Sequence, residues 1–257
     1  MLRLRLSVNW SKSLSYETPR FLFAGDAALV VEFGDTIDPE TNREVHNLAG
    51  RLDSLQIPGL VEIIPTYRSL LVSFDPMLAT FQEIRETIEA ATDQSDTSAS
   101  SNARVVLIPT LYAGEYGPDL EFVAQNAGLT ADEVITIHSG IDYLVYTMGF
   151  APGFPYLGGL DERLATPRLE SPRVEIPAGS VGIAEGQTGI YPIASPGGWR
   201  LIGRAPLNLF DPYADPPTVL DAGDYVRFVP IESESEYLET RRQVESGEFQ
   251  VVTETKR

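Results

Sequence analysis

The sequence predicts an α+β protein in two parts: a small N-terminal α/β domain, then a β-rich domain built as a barrel or sandwich. Three observations carry this. Strand-like and helical patterns alternate as far as residue 91. A polar stretch, TDQSDTSASSNA (residues 92–103), holds no large apolar residue and reads as a linker. From residue 142 to 230, short apolar runs alternate with Gly/Pro punctuation, the rhythm of an all-β unit. The expected domains are residues 1–95 and 96–257.

Each element has a local cause. FLFAGDAALVVEFG (21–34) reads as two strands around a Gly25-Asp26 turn. Asp38 supplies an N-cap and Pro39 a first-turn proline, with Val45, Leu48, Ala49 and Leu52 at helical spacing behind them. Ile57-Pro58-Gly59 ends that helix. VEIIPTYRSLLVSFDP (61–76) gives two further strands, and FQEIRETIEAA (81–91) a second amphipathic helix with Phe81, Ile84 and Ile88 on one face. Beyond the linker, RVVLIPTLY (104–112) starts the second domain. A helix is expected over 119–127, and another begins at the Thr130-x-x-Glu133 capping box. The acidic stretch 232–248 reads as a peripheral helix.

Composition narrows the function classes. The 257 residues are 43% hydrophobic and 22% charged, as in ordinary soluble globular proteins. No cysteine occurs, which removes disulfides, thiolate nucleophiles and Cys-ligated metal. The net charge of −18 opposes phosphate backbones, so a nucleic-acid partner is not expected. Only Lys12 and Lys256 are lysines, and this acidic, lysine-poor profile resembles proteins of salt-loving organisms. No apolar run approaches the roughly 20 residues that span a bilayer, so no membrane partner is expected. The opening MLRLRLSVNW alternates charged with apolar residues and reads as a strand, not a signal peptide; a cytoplasmic protein is the expectation.

Several chemistries are missing their residues. A P-loop needs Gly-Lys-Ser/Thr, and neither lysine follows a glycine. No G-x-G-x-x-G follows a strand. His46 and His138 sit in no metal-binding spacing; His46 reads as a helix-surface residue, and no metal is assigned. Ser139 adjoins His138, but neighbours on a strand face opposite ways and cannot pair as nucleophile and base.

What remains is a dense cluster between Gly149 and Arg204. GFAPGFPYLGGL places Phe150, Phe154 and Tyr156 on backbone that proline and glycine keep irregular. TPRLESPR hangs Arg168 and Arg173 from stiffened Pro-Arg steps, suited to a carboxylate or phosphate. In so acidic a chain, either could equally pair with the protein's own carboxylates. Further on, Gln187, Thr188, Tyr191 and Ser195 offer neutral donors and acceptors among close-set glycines, and Trp199 and Arg204 add an aromatic wall and a cation. Tight turns between strands would use the same glycines.

These stretches, with VITIHSGIDYLVYTMGF upstream and GDAALVVEFG and IPGLVEIIPTYRSLLVSFDP in the N-terminal part, closely resemble the allophanate hydrolase subunit 1 family. That family includes the B subunits of bacterial and archaeal 5-oxoprolinases and a sporulation-kinase inhibitor, KipI. The resemblance covers roughly residues 21–237. It implies a small α/β domain followed by a cyclophilin-like β-barrel. It implies work in a complex with a subunit 2-type barrel protein, like the C subunit of 5-oxoprolinase, and a third chain like its A subunit. That complex opens 5-oxoproline to glutamate with ATP, for which this chain has no P-loop.

On this reading Arg168 or Arg173 holds an anionic group of a small-molecule substrate, and Gln187 and Tyr191 orient or polarise an amide carbonyl. His138 joins them as a candidate catalytic residue. Phe154, Tyr156, Ser195, Trp199 and Arg204 complete the expected binding surface. Alternatives are a kinase-inhibiting binding module and a component related to urea carboxyltransferases; the latter needs separate proteins, because no biotin-carrier segment is present.

Overall fold

The computed structural model describes residues 15–92, 103–112 and 114–256. The strand expected at the start of the chain, and residues 93–102 of the expected linker, lie outside the described residues. The chain divides into two compact units, residues 1–99 and 100–257.

In the first unit, four antiparallel strands pair in the order β1-β2-β4-β3: β1 Ser15–Phe23, β2 Ala28–Gly34, β3 Leu60–Pro65 and β4 Ser69–Phe74. Two helices, α1 Pro39–Ser54 and α2 Phe81–Thr92, join them. The core follows from period-two alternation on the central strands. Leu29, Val31 and Phe33 of β2, and Leu70, Val72 and Phe74 of β4, are buried against Val45, Leu48 and Leu52 of α1 and Ile84 and Ile88 of α2. The Asp38 carboxylate caps α1 by accepting from the Thr41 amide at 2.8 Å. His46 on α1 is half-buried, so it is not a simple surface residue.

Among its described residues the second unit carries three α-helices and the remaining strands. Its largest sheet has the order β14-β5-β13-β6-β7, formed by β5 Arg104–Thr110, β6 Tyr143–Met148, β7 Pro155–Gly158, β13 Tyr225–Pro230 and β14 Thr253–Thr255. β5 and β13 run parallel; the other pairs are antiparallel. A three-stranded sheet pairs β10 Gln187–Ile190, β9 Ser180–Ala184 and β12 Arg200–Arg204. A two-stranded one pairs β11 Ser195–Gly197 with β8 Arg173–Ile176. Val106, Ile108, Val145 and Phe228 from the large sheet share one core with Val181, Ile183, Ile190 and Ile202 from the three-stranded sheet.

Two expectations change here. The strands are numerous, as the Gly/Pro rhythm implies, but among the described residues no sheet closes into a barrel. The bridges Leu111↔Arg204, at the end of β12, and Thr166↔Glu185 are isolated pairs and not ladders. Proline-rich connections such as 192–196 lack the amide donors that a continuous ladder needs. Secondly, His138 and Ser139 lie not on a strand but at the end of a helix, α4 Ala131–Ser139, opened by the Thr130–Glu133 capping box and closed at Gly140. The β-branched run Val134-Ile135-Thr136-Ile137 has strand propensity, and the cap overrides it. The preceding helix, α3 Leu120–Ala127, has Asp119 at its N-cap position without a side-chain capping bond. The last helix, α5 Glu234–Ser246, occupies the acidic stretch.

Candidate functional site

The Gly149–Gly159 segment folds as two linked turns. The Ala151 amide donates to Gly149 O at 2.7 Å, closing a three-residue turn on Phe150, whose φ is 61°. The Phe154 amide then donates to Ala151 O at 3.0 Å around Pro152 and Gly153 (φ 77°), as a type II turn requires. A Cβ on Gly153 would come within 2.9 Å of the Phe210 Cβ, so glycine is required twice over. A bulky residue in the left-handed region is strained. Here the strain presents a Phe150 ring that is 72% exposed, edge-on to Phe154 at 5.6 Å.

Phe154 is buried and joins Ile176, Tyr191 and Leu201 in a small apolar cluster, with Tyr156 and Trp199 packed against it. Its ring meets Tyr191 at 5.7 Å and Trp199 at 6.0 Å, both edge-to-face. This cluster floors a cleft of about 190 Å³, lined by Phe150, Tyr156, Arg168, Gln187, Tyr191 and Trp199, with Phe154 and the Pro196–Gly198 backbone. A Cβ on Gly197 would lie 2.6 Å from the Tyr191 hydroxyl, so glycine there keeps the space before that hydroxyl open. Burial pushes the hydroxyl up to about 12, with Arg168 and Arg173 pulling the other way; it is a neutral donor at ordinary pH. Among the described residues it makes no hydrogen bond, and Arg168 makes neither a hydrogen bond nor an ion pair.

The other expected residues lie elsewhere. Arg173 is committed to the protein: its guanidinium meets the Asp119 carboxylate at 2.9 Å and donates to Trp199 O at 3.3 Å. Asp119, which sequence reasoning had no means to select, is 8% exposed and also accepts from the Leu201 amide at 2.7 Å. Arg204 stacks over Tyr116 at 5.2 Å, and Ser195 sits half-exposed on β11 opposite Ile176; neither lines the cleft.

His138 is fully buried, away from the cleft lining, between Tyr112 and Thr188. The Thr188 hydroxyl donates to Gly182 O at 3.2 Å, so it accepts from His138 Nε2–H at 2.8 Å. Nδ1 then accepts from the Tyr112 hydroxyl at 2.8 Å. Burial holds the imidazole at about 3, and it stays neutral. Its partners fix β10 beside Gln187, and neither of them lines the cleft. No group of three or more acidic or histidine side chains among the described residues could hold a metal ion, and no helix there is long and apolar enough to cross a membrane.

The family described as carboxyltransferase domain, subdomain C and D matches residues 19–220, which include the whole cleft. The chain belongs to this family. It is 46% identical over 223 residues to the 5-oxoprolinase B subunit of Bacillus subtilis, covering 83% of this chain and 92% of that protein. It is 41% identical over 211 residues to the 5-oxoprolinase B subunit of Escherichia coli O157:H7, with 82% and 95% covered. Among solved structures, a conserved uncharacterized protein of Pyrococcus horikoshii is 50% identical with a TM-score of 0.51, covering 85% of this chain and all of that one. The Kluyveromyces lactis urea amidolyase, 22% identical with a TM-score of 0.72, shares the fold over 93% of this chain and 16% of its own length.

Proposed function

We propose that this chain is the B subunit of an ATP-dependent 5-oxoprolinase, a hydrolase component working inside an assembly of several subunits. The observation that carries the reading is 46% identity to a 5-oxoprolinase B subunit over nearly all of that protein's length. The complex converts 5-oxoproline, ATP and two water molecules to glutamate, ADP and phosphate. One water opens the lactam and the other ends on the phosphate. The partners are chains like the C and A subunits of that enzyme, in the cytoplasm, and the cyclophilin-like relationship of the second unit belongs to the same reading. A dependence on partners agrees with the site. The cleft is lined by donors and aromatic walls, while the buried histidine faces Tyr112 and Thr188. Exposed Phe150 and exposed Arg168 are residue types enriched at protein interfaces.

Affinity purification of this chain from its native cells tests the assembly. Recovery of the other two 5-oxoprolinase subunits in fixed ratio is the expected result. Recovery of a histidine kinase instead, with its autophosphorylation blocked, would replace the enzyme reading with the inhibitory one.

A further inference from the structure

We infer that the cleft of the second unit holds the lactam substrate and not the nucleotide, with the Arg168 guanidinium on its carboxylate and the Tyr191 hydroxyl on its ring carbonyl. This rests on the 5-oxoprolinase reading and goes beyond it by assigning one of the two substrates to this chain and to named groups.

The first ground is the state of Arg168. In a chain of net charge −18, the neighbouring arginines are all taken: Arg163 by Asp161, Arg173 by Asp119, and Arg200 by stacking on Phe122 near Asp119. Arg168 alone in this stretch makes no ion pair or hydrogen bond among the described residues, although it lines a cleft. An always-charged planar fork with its donors unspent suits an incoming carboxylate.

The second ground is Tyr191. Its side chain is 3% exposed, yet its hydroxyl faces the cleft with no hydrogen-bond partner among the described residues. The ring is buried while the hydroxyl opens onto the cleft, where an entering oxygen can take its hydrogen bond. The hydroxyl remains protonated at ordinary pH, and therefore donates to an oxygen that cannot donate back. Arg168 and Tyr191 line the same cleft, so one ligand can meet both groups.

The third ground is size and lining. Trp199 and Phe154 stand edge-to-face, with Gly189 between: a Cβ there would lie 3.0 Å from Trp199 and 3.4 Å from Phe154. The space of about 190 Å³ lies below the roughly 300–1,000 Å³ usual for drug-sized ligands. A five-membered ring with one carboxylate and one carbonyl matches one cation, one neutral donor and flat apolar walls. A nucleoside triphosphate does not match a cleft lined, among the described residues, by a single cation and no helix N-terminus, so its phosphates are held outside this cleft.

The test uses the complex reconstituted from all three chains and varies each substrate in turn. Arg168→Gln should raise KM for 5-oxoproline by about 10- to 100-fold and leave KM for ATP unchanged, as the loss of a charge-assisted bond to one substrate requires. Tyr191→Phe should lower kcat/KM for 5-oxoproline with the same ATP indifference. A second readout uses this chain alone in a Trp10→Phe background, where Trp199 is the sole tryptophan. Its emission should change saturably with 5-oxoproline, less tightly in Arg168→Gln, and not with ATP or with 2-pyrrolidone, which lacks the carboxylate. A complex that opens 5-oxoproline with unaltered KM in both variants, or ATP competing for the Trp199 signal, overturns the site and leaves the 5-oxoprolinase reading standing. A wild-type complex that releases no glutamate overturns that reading and the site with it.

Discussion

Asp119→Ala is expected to destabilise the second unit by about 1–3 kcal/mol, the usual cost of leaving a buried amide without its acceptor. The carboxylate accepts from the Leu201 amide and from Arg173, with Arg200 at 4.0 Å, and its own amide donates to Leu201 O at 2.8 Å. Alanine would leave a buried amide and a part-buried guanidinium without their acceptor. Because Arg173 also donates to Trp199 O, the wall of the cleft loses its support from behind. Thermal unfolding checks this. The transition of the second unit should fall by several degrees or more, while that of the first unit stays in place, since each has its own core. Arg173→Ala should cost less, because Asp119 keeps the Leu201 amide. Equal melting of Asp119→Ala and wild type would remove the clamp from the account.

Acid should weaken the same unit through His138. Its folded value, about 3, lies below the ordinary 6.5, so above pH 6.5 the group is neutral in both states and contributes no pH dependence. Below 6.5 the unfolded chain takes up a proton that the folded chain refuses. Stability therefore falls as pH falls, by about tenfold in the unfolding equilibrium per pH unit until the folded value is reached. Between pH 6.5 and 4.5 that is about 100-fold from one residue. His138→Gln has no such proton, so subtracting its urea-unfolding profile from that of wild type isolates the slope from the carboxylates. A difference that is flat across this window would show that the imidazole is reachable by water or protonated in place.

Much of the first unit was legible because its signals are local. Asp38-Pro39 starts α1 and the alternation in LVVEF buries one face of β2, and neither depends on anything far along the chain. The start of α4 was legible for the same reason, through Thr130 and Glu133. Its continuation was not, because four consecutive β-branched residues, Val134 to Ile137, resemble a strand until the cap is given weight. The candidate site divides along the same line. Aromatic rings and glycines in GFAPGFPYLGGL and SPGGW mark a shaped surface by their own chemistry, and the structure brings Phe154, Tyr156, Tyr191 and Trp199 together there. Arg168 and Arg173 sit in near-identical Pro-Arg steps, and nothing local separates them. What separates them is Asp119, 54 positions before Arg173, which meets one guanidinium and not the other. His138 was likewise opaque: Thr188, 50 positions away, and Tyr112, 26 positions away, decide its tautomer and remove it from the cleft.

The most direct measurement is glutamate release from 5-oxoproline and ATP by the purified chains, assayed singly, in pairs and all together. This chain alone is predicted to release neither glutamate nor ADP. The complete mixture is predicted to release both in equal amounts, and omission of this chain to abolish both. Turnover by this chain alone, or undiminished turnover by the mixture without it, would contradict the account.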